Sequence, residues 1–449
     1  MLHAGKALDT YFILDVEGGA LMEVDELAYK IAKLMEEGEQ SSEKIVSSLS
    51  RSFSESDIRE VLSELDELRR QGVLNVPCLQ DKVKFPKPAI KSMCLHIAHD
   101  CNLRCSYCFA KEGSYMGNRE LMSEEVAKAA LDFLVERSEN RIQLEVDFFG
   151  GEPLINFGVV KAAVAYGREL EKKHGKIIRF TLTTNAYAVT DEISDFINSE
   201  MKNLVISIDG RKEIHDRERK NAAGAGSYDR VAKNAQKLIA GRGDQEYYIR
   251  GTYPSRNLDF ANDVLSIADL GFDQISVEPV VTDGELALTL DHIPQIRAEY
   301  EKLGRIIEAR REDGRPFNFF HFMIAFDGGP CLSKRLRGCG AGTEYVAVTP
   351  GGDIYPCHQF AGKRDFLMGN VLKSTETNQD IAAKFAGCHV YAKEKCQSCF
   401  AKYHCSGGCA ANAYNVNGDI MKPHDVSCEI QKARMDVATA LYIRKNKQQ

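Results

Sequence analysis

Cys101-Asn102-Leu103-Arg104-Cys105-Ser106-Tyr107-Cys108 spaces three cysteines C-x3-C-x2-C, with an aromatic residue directly before the third. Three thiolates at that spacing hold three irons of a cubane [4Fe–4S] cluster and leave the fourth iron free for a ligand that is not protein. A zinc site is the plain alternative, but zinc wants four ligands and usually two paired C-x2-C hooks.

The other bounds are broad. A chain of 449 residues has room for two or three domains. Its 44% hydrophobic and 27% charged content is that of an ordinary globular protein. No signal peptide and no bilayer-length apolar run is evident, so the expectation is a cytoplasmic chain with no membrane partner. Fourteen cysteines in a reducing compartment read as metal ligands before disulfides. Five lie between residues 78 and 108, none in the next 222 positions, and nine from Cys331 onward.

The cysteine spacing, with Tyr107 before its last member, resembles the signature of the radical S-adenosylmethionine (SAM) superfamily. That resemblance implies that the open iron takes the amino and carboxylate groups of SAM. The chain after Phe85 supports it. Strand-forming composition recurs at Met93–Ile97, Leu144–Phe149, Ile178–Thr183, Leu204–Ile208, Tyr247–Thr252 and Ile275–Val281, with amphipathic helices between, such as Ser123–Arg137, Asp229–Ile239 and Phe260–Leu270. Six βα units are too few for an eight-stranded barrel and suit the partial (β/α)6 TIM-like barrel of radical SAM enzymes, predicted here over residues 86–311. Functional groups should then gather at the strand C-terminal ends.

Residues 1–85 read as a small α+β module. A hairpin signal runs from Tyr11 through the Glu17-Gly18-Gly19 turn to Val24, and three helices follow. Val73-Leu74-Asn75-Val76 is expected as a closing strand, which gives a winged-helix-like layout. The segment holds 17 Asp+Glu against 10 Lys+Arg, a net charge of −7. Phosphate neutralisation dominates DNA affinity, so an acidic module is badly suited to nucleic acid. Peptide capture on a hairpin edge is the better reading. The module resembles the peptide-recognition element of enzymes that modify ribosomally made peptides, where the leader lies along the third strand and third helix.

Phe149-Gly150-Gly151-Glu152-Pro153 follows the second predicted strand. It resembles the GGEP element that holds the SAM amino group; the glycines permit close backbone approach. Thr183-Thr184-Asn185 and Ser207-Ile208-Asp209-Gly210 end the next two strands. Thr183, Asn185, Ser207 and Asp209 are candidates for the ribose and the methionine carboxylate, with Arg219 joining them by analogy to related enzymes. Ordinary strand-end turn chemistry is the alternative for each. The family places Tyr107 near adenine.

Residues 312–449 hold nine of the cysteines. Cys339, Gly352, Cys357, Cys396, Cys399, Cys405, Cys409 and Cys428 are similar in spacing to the seven-cysteine SPASM pattern of peptide-modifying radical SAM enzymes; a zinc ribbon is the alternative. The resemblance implies two auxiliary [4Fe–4S] clusters, three in the whole chain. Cys396, Cys399, Cys405 and Cys428 would hold the distal one, and Cys339, Cys357 and Cys409 the one nearer SAM. Seven thiolates leave one position unfilled, for Cys331 or for a substrate thiolate. Cys78, Cys94 and Cys388 read as apolar residues. Sulfatase-maturing relatives carry an aspartate base after the cysteine corresponding to Cys357, where this chain has His358. His358 is therefore either a proton acceptor for a substrate thiol or a polar neighbour.

The opening His3-Ala4 and the hairpin Phe12 to Met22 are most like the maturases of SCIFF peptides, thioether formers of the sactisynthase/ranthipeptide type. This implies a cysteine-rich precursor bound through its leader, thioether bonds from its cysteines to unactivated carbons, and an electron donor such as flavodoxin or ferredoxin. Two alternatives stand beside it. One is another peptide modification, a carbon–carbon crosslink or side-chain cleavage. The other is an iron–sulfur redox-sensing DNA-binding protein, which leaves the GGEP and ribose elements without a purpose.

Overall fold

The computed structural model describes residues 1–39, 41–78, 80, 83–85, 87–115, 117–326 and 332–447. Three strands open the chain: β1 (Leu2–Ala7), β2 (Thr10–Asp15) and β3 (Leu21–Val24), antiparallel in the order β1-β2-β3. Asp25, Ser41 and Ser54 cap the helices Glu26–Glu36, Ser42–Leu49 and Glu55–Arg70, each side chain accepting from a first-turn amide. Ile13, Leu27, Ile31, Ile58 and Leu62 form the core between sheet and helices.

The predicted strand at Val73–Val76 is not formed. Asn75 adopts φ +56°, a left-handed conformation that breaks an extended run, and its amide donates to the Asp15 carboxylate at 2.6 Å. Leu74 is buried beside the helices instead of joining a ladder. In its place the sheet gains β1, which the sequence did not announce.

The main sheet follows: β4 (Ser92–Ala98), β6 (Gln143–Gly150), β7 (Ile177–Thr184), β8 (Asn203–Ser207), β10 (Glu246–Tyr253) and β11 (Gln274–Pro279), joined in sequence order by parallel pairing. These are the six predicted strands, each extended by one residue at most ends, with β8 and β11 stopping one and two residues short of the predicted C-terminal end. Two short strands, β5 (Leu103–Cys105) and β9 (Arg219–Asn221), pair separately. Among the described residues the sheet reaches ten strands. β12 (Asn318–Phe319) adds in parallel beside β11, and β13 (Tyr345–Val348) adds in parallel beside β4. β14 (Asp353–Tyr355) and β15 (Gly369–Asn370) continue it antiparallel. On β6 the alternation decides the faces. Leu144, Val146 and Phe148 pack into the helix layer, while Phe149 lines the opposite, concave side. The cysteine-rich region also has a core of its own, around Phe360, Phe366, Phe385 and Ile420. No helix among the described residues is long and apolar enough to cross a membrane.

The opening hairpin is stapled to the C-terminal region. Leu8, at the turn after β1, is fully buried in the main core and sits against Gly304. Glu17 accepts from Lys402 Nζ and Tyr403 Oη, each at 2.5 Å, with the lysine and glutamate side chains both almost wholly buried. His3 bonds Glu36 at 2.8 Å and Asp436 at 2.9 Å, and its ring stacks on Phe400 with centroids 3.5 Å apart. Burial alone would lower the His3 pKa, yet the hydrogen bonds and charges of Asp436 and Glu36 outweigh it and the value is raised.

A pH dependence follows. The folded state binds the His3 proton more tightly, so its contribution is complete below about pH 6.5 and is lost as pH rises through the raised folded value. His3→Gln should cost about 2 kcal/mol at pH 6 and flatten the decline of the urea midpoint between pH 6 and 9. An equally steep decline in the variant would place the titration elsewhere.

Candidate active site and cysteine groups

The first cysteine loop leaves the C-terminal end of β4 and is pinned on two sides. β5 pairs with β9, setting Cys105 opposite Arg219. Ser106 donates its amide to the Glu218 backbone carbonyl and its hydroxyl to the Glu218 carboxylate, which Arg256 clamps at 2.8 and 2.6 Å. Leu103 N and Asn185 Nδ2 donate to Cys101 Sγ at 3.4 and 3.6 Å. Burial, with Glu152 and the other two sulfurs nearby, pushes the Cys101 thiol up to about 12. Cys105 reaches about 11, again through burial, although Arg219 pulls it down.

Cys101, Cys105 and Cys108 line one cavity of about 240 Å³ together with Tyr107, Gly150, Gly151, Thr183, Asn185, Ser207 and Arg219. The glycines are there because nothing larger fits. A Cβ on Gly150 would lie 2.4 Å from the Ala98 carbonyl oxygen, and one on Gly151 2.1 Å from that of Asp100. Two expected binders stand behind this lining. Glu152 is 2% exposed and accepts from Leu154 N, Thr184 Oγ1 and Asn185 N; burial holds its carboxyl up at about 7. Asp209 is fully buried and accepts from Thr252 N and Tyr107 Oη, with Arg219 Nε 3.0 Å away. Both carboxylates thus organise the wall: Asp209 fixes Tyr107 and Arg219, whose guanidinium lies 5.5 Å from the ring centre.

The far wall was not read from the sequence. Arg250 and Thr252 on β10, Glu278 on β11, then Val280, Gln359 and Asn412 line it. Arg250 and Glu278 pair at 3.3 Å. Burial raises the Glu278 carboxyl, but Arg250, His321 and Arg434 together bring it down to about 2. The only signal was a polar residue at alternate positions of apolar strands, which any half-exposed strand also shows. Below this wall, Asp147 accepts from Thr183 at 3.2 Å and burial lifts its carboxyl to about 7. His358 also lines the cavity, between Phe149 and Phe109, with Nδ1 3.2 Å from Tyr345 Oη. Burial lowers it to about 4, so the imidazole is neutral near pH 7.

The remaining cysteines sort into two groups. Cys357 is pushed up by burial and then by Cys409 and Cys339; Cys409 feels Cys339 in turn. Cys396, Cys405 and Cys428 each rise to about 11, burial first, through one another and Cys399. These four line a second cavity of about 660 Å³. Cys388 is buried, with Sγ 3.4 Å from the Ile420 carbonyl, and Cys94 is wholly buried beside Tyr345; Cys78 is exposed. Cys331 lies outside the described residues. Among the described residues no three His, Cys, Asp or Glu side chains converge closely enough to hold a single metal ion.

The chain is 25% identical over 344 residues to PqqA peptide cyclase of Bradyrhizobium diazoefficiens, covering 72% of this chain and 82% of the relative. It matches the structure of native anSMEcpe with bound AdoMet at TM-score 0.66 and 20% identity, over 80% of this chain and all of that one. It matches Streptococcus suis SuiB bound to precursor peptide SuiA at TM-score 0.53 and 16% identity, over 93% and 96% of the two chains. Residues 95–284, which carry the cysteine loop, the Gly150-Gly151 cradle and five of the six central strands in full, match the Radical SAM superfamily.

Proposed function

We propose that this protein is a radical SAM maturase of a ribosomally made, cysteine-rich peptide, joining peptide cysteines to unactivated carbons as thioethers. One observation carries the reading. A single cavity has Cys101, Cys105 and Cys108 on one wall and, on the other, His358 and Asn412, which flank Cys357 and Cys409 of the near group. Radical generation and sulfur chemistry therefore face one volume. PqqA peptide cyclase and the peptide-bound SuiB, both similar to this chain, support a peptide substrate.

The first three thiols would hold a [4Fe–4S] cluster, and Gly150, Gly151, Thr183, Asn185, Ser207, Tyr107 and Arg219 would hold SAM. The near and distal groups would hold two auxiliary clusters. When bound, the first cluster and SAM supply a 5′-deoxyadenosyl radical able to remove hydrogen from an unactivated carbon. The chain's own residues bind, orient and exclude water. Asp209 locks Tyr107 and Arg219 against the ligand, Glu152 orders the strand ends, and His358, made weakly basic by burial, stands as a polar neighbour beside Cys357. Residues 1–85 would form the leader-recognition module, 86–311 the barrel and 312–449 the SPASM region. β3 is the edge of its sheet among the described residues, so its free backbone groups can take an extended leader as an added strand. A small cytoplasmic electron carrier, flavodoxin or ferredoxin, would complete the system.

Anaerobic coexpression with a short cysteine-rich precursor encoded beside the gene tests the reaction. The product should lose two hydrogens and one alkylatable thiol per crosslink. Loss of hydrogens with every thiol still alkylatable would identify carbon–carbon bond formation instead.

A further inference from the structure

We propose that Lys393 is a fixed positive charge that raises the electron affinity of the distal cluster, and so is a positioning residue for electron transfer. The inference rests on the reading that Cys396, Cys399, Cys405 and Cys428 hold that cluster. Lys393 is 2% exposed. Its ammonium donates to the carbonyl of Gly407 at 2.7 Å, and Gly407 lines the same cavity as Cys396, Cys399, Cys405 and Cys428; the Lys393 carbonyl accepts from the Cys396 amide at 2.9 Å.

The neighbouring lysines answer to carboxylates: Lys395 to Asp425, Lys402 to Glu17. Among the described residues no such ion pair forms at Lys393. A buried ammonium without an anion is strongly destabilising, so evolution of this site needs a negative partner. The sulfurs provide it. Four thiolates around a [4Fe–4S] core are net negative, and more so by one unit after reduction. Net charge and hydrogen bonds to sulfur are what set the potential of such clusters.

Gly407, whose carbonyl the ammonium holds, lies in the chain between Cys405 of the distal group and Cys409 of the near one. In the redox step one electron enters the distal cluster; no bond forms or breaks and no proton moves. The ammonium stabilises the reduced form more than the oxidised form, which raises the midpoint potential.

EPR-monitored redox titration of the reconstituted full-length enzyme tests this. The distal signal is the one missing from Cys399→Ala. Lys393→Gln keeps a donor for the Gly407 carbonyl and removes the charge, whereas Lys393→Arg keeps the charge. The Gln variant should shift the midpoint to lower potential, with the reduced-to-oxidised ratio at fixed potential falling about tenfold, equal to 59 mV for one electron. The Arg variant should titrate near the parent. An unchanged midpoint in Gln overturns the proposal. Should Gln fail to retain the distal irons, Arg decides: retention supports a charge requirement, and loss shows that packing alone is at stake. An unaltered enzyme with no signal sensitive to Cys399→Ala would overturn the cluster reading itself, a distinguishable result.

Discussion

Replacing Cys101, Cys105 and Cys108 together by alanine should remove about four of about twelve irons per chain and abolish formation of 5′-deoxyadenosine. The twelve follow from three cysteine groups, each sized for one four-iron cluster. The expectation of complete loss follows from the cavity. Those sulfurs line the same volume as the Gly150-Gly151 cradle and Arg219, and no other described cysteine group does. The auxiliary irons should survive, because neither remaining group draws on this loop. Iron analysis and product chromatography on the same preparation read both effects. A triple variant that still cleaves SAM would remove the basis for the whole assignment.

Cys357→Ala should separate cleavage from crosslinking. Cys357 belongs to the near group and is wholly buried with Cys409 and Cys339 beside it, so its loss should lower iron to about eight per chain and eliminate thioether product. SAM cleavage should continue, since the first cysteine loop is pinned by Glu218, Arg256 and β9 on the other wall. Cys331→Ala then decides who completes the near group. With a substrate thiolate as the fourth ligand, that variant retains about twelve irons and its crosslinking activity. Precursor peptide should perturb the near-cluster spectrum, and a precursor with its donor cysteine changed to serine should leave it unmoved. Loss of four irons in Cys331→Ala would show a site closed by protein.

What could be read from the chain was local. Thiol spacing and the paired glycines survive as patterns because each works within a few residues of itself. The six central strands were legible because apolar alternation is strong where one face meets a helix layer. β1 was not, since Leu2-His-Ala-Gly-Lys-Ala owes its burial to partners such as Glu36, Phe400 and Asp436, up to 433 residues away. The same limit governs the carboxylates. Glu152 and Asp209 looked like ligand binders, but a sequence does not say whether a carboxylate faces a ligand or a backbone amide. Arg250 and Glu278 went unremarked because the concave side of a curved sheet exists only after the strands have assembled. The addition of β13, β14 and β15 to the barrel edge was equally unannounced.

The staples on the opening hairpin bear on engineering. Families of peptide-modifying enzymes invite cassette exchange, in which one front end is grafted onto another catalytic body to redirect it. Here the join is not a hinge. The hairpin contributes His3 to a stack with Phe400, Glu17 to a buried pair with Lys402, and Leu8 to the main core, and Phe400 and Lys402 stand between Cys399 and Cys405. A graft lacking an acid at position 17 would strand Lys402 within the loop that carries Cys399 and Cys405. Under the leader-binding role proposed for residues 1–85, retargeting should therefore begin by rewriting the outward edge of β3 and leave the inward contacts of β1 and β2 as they are.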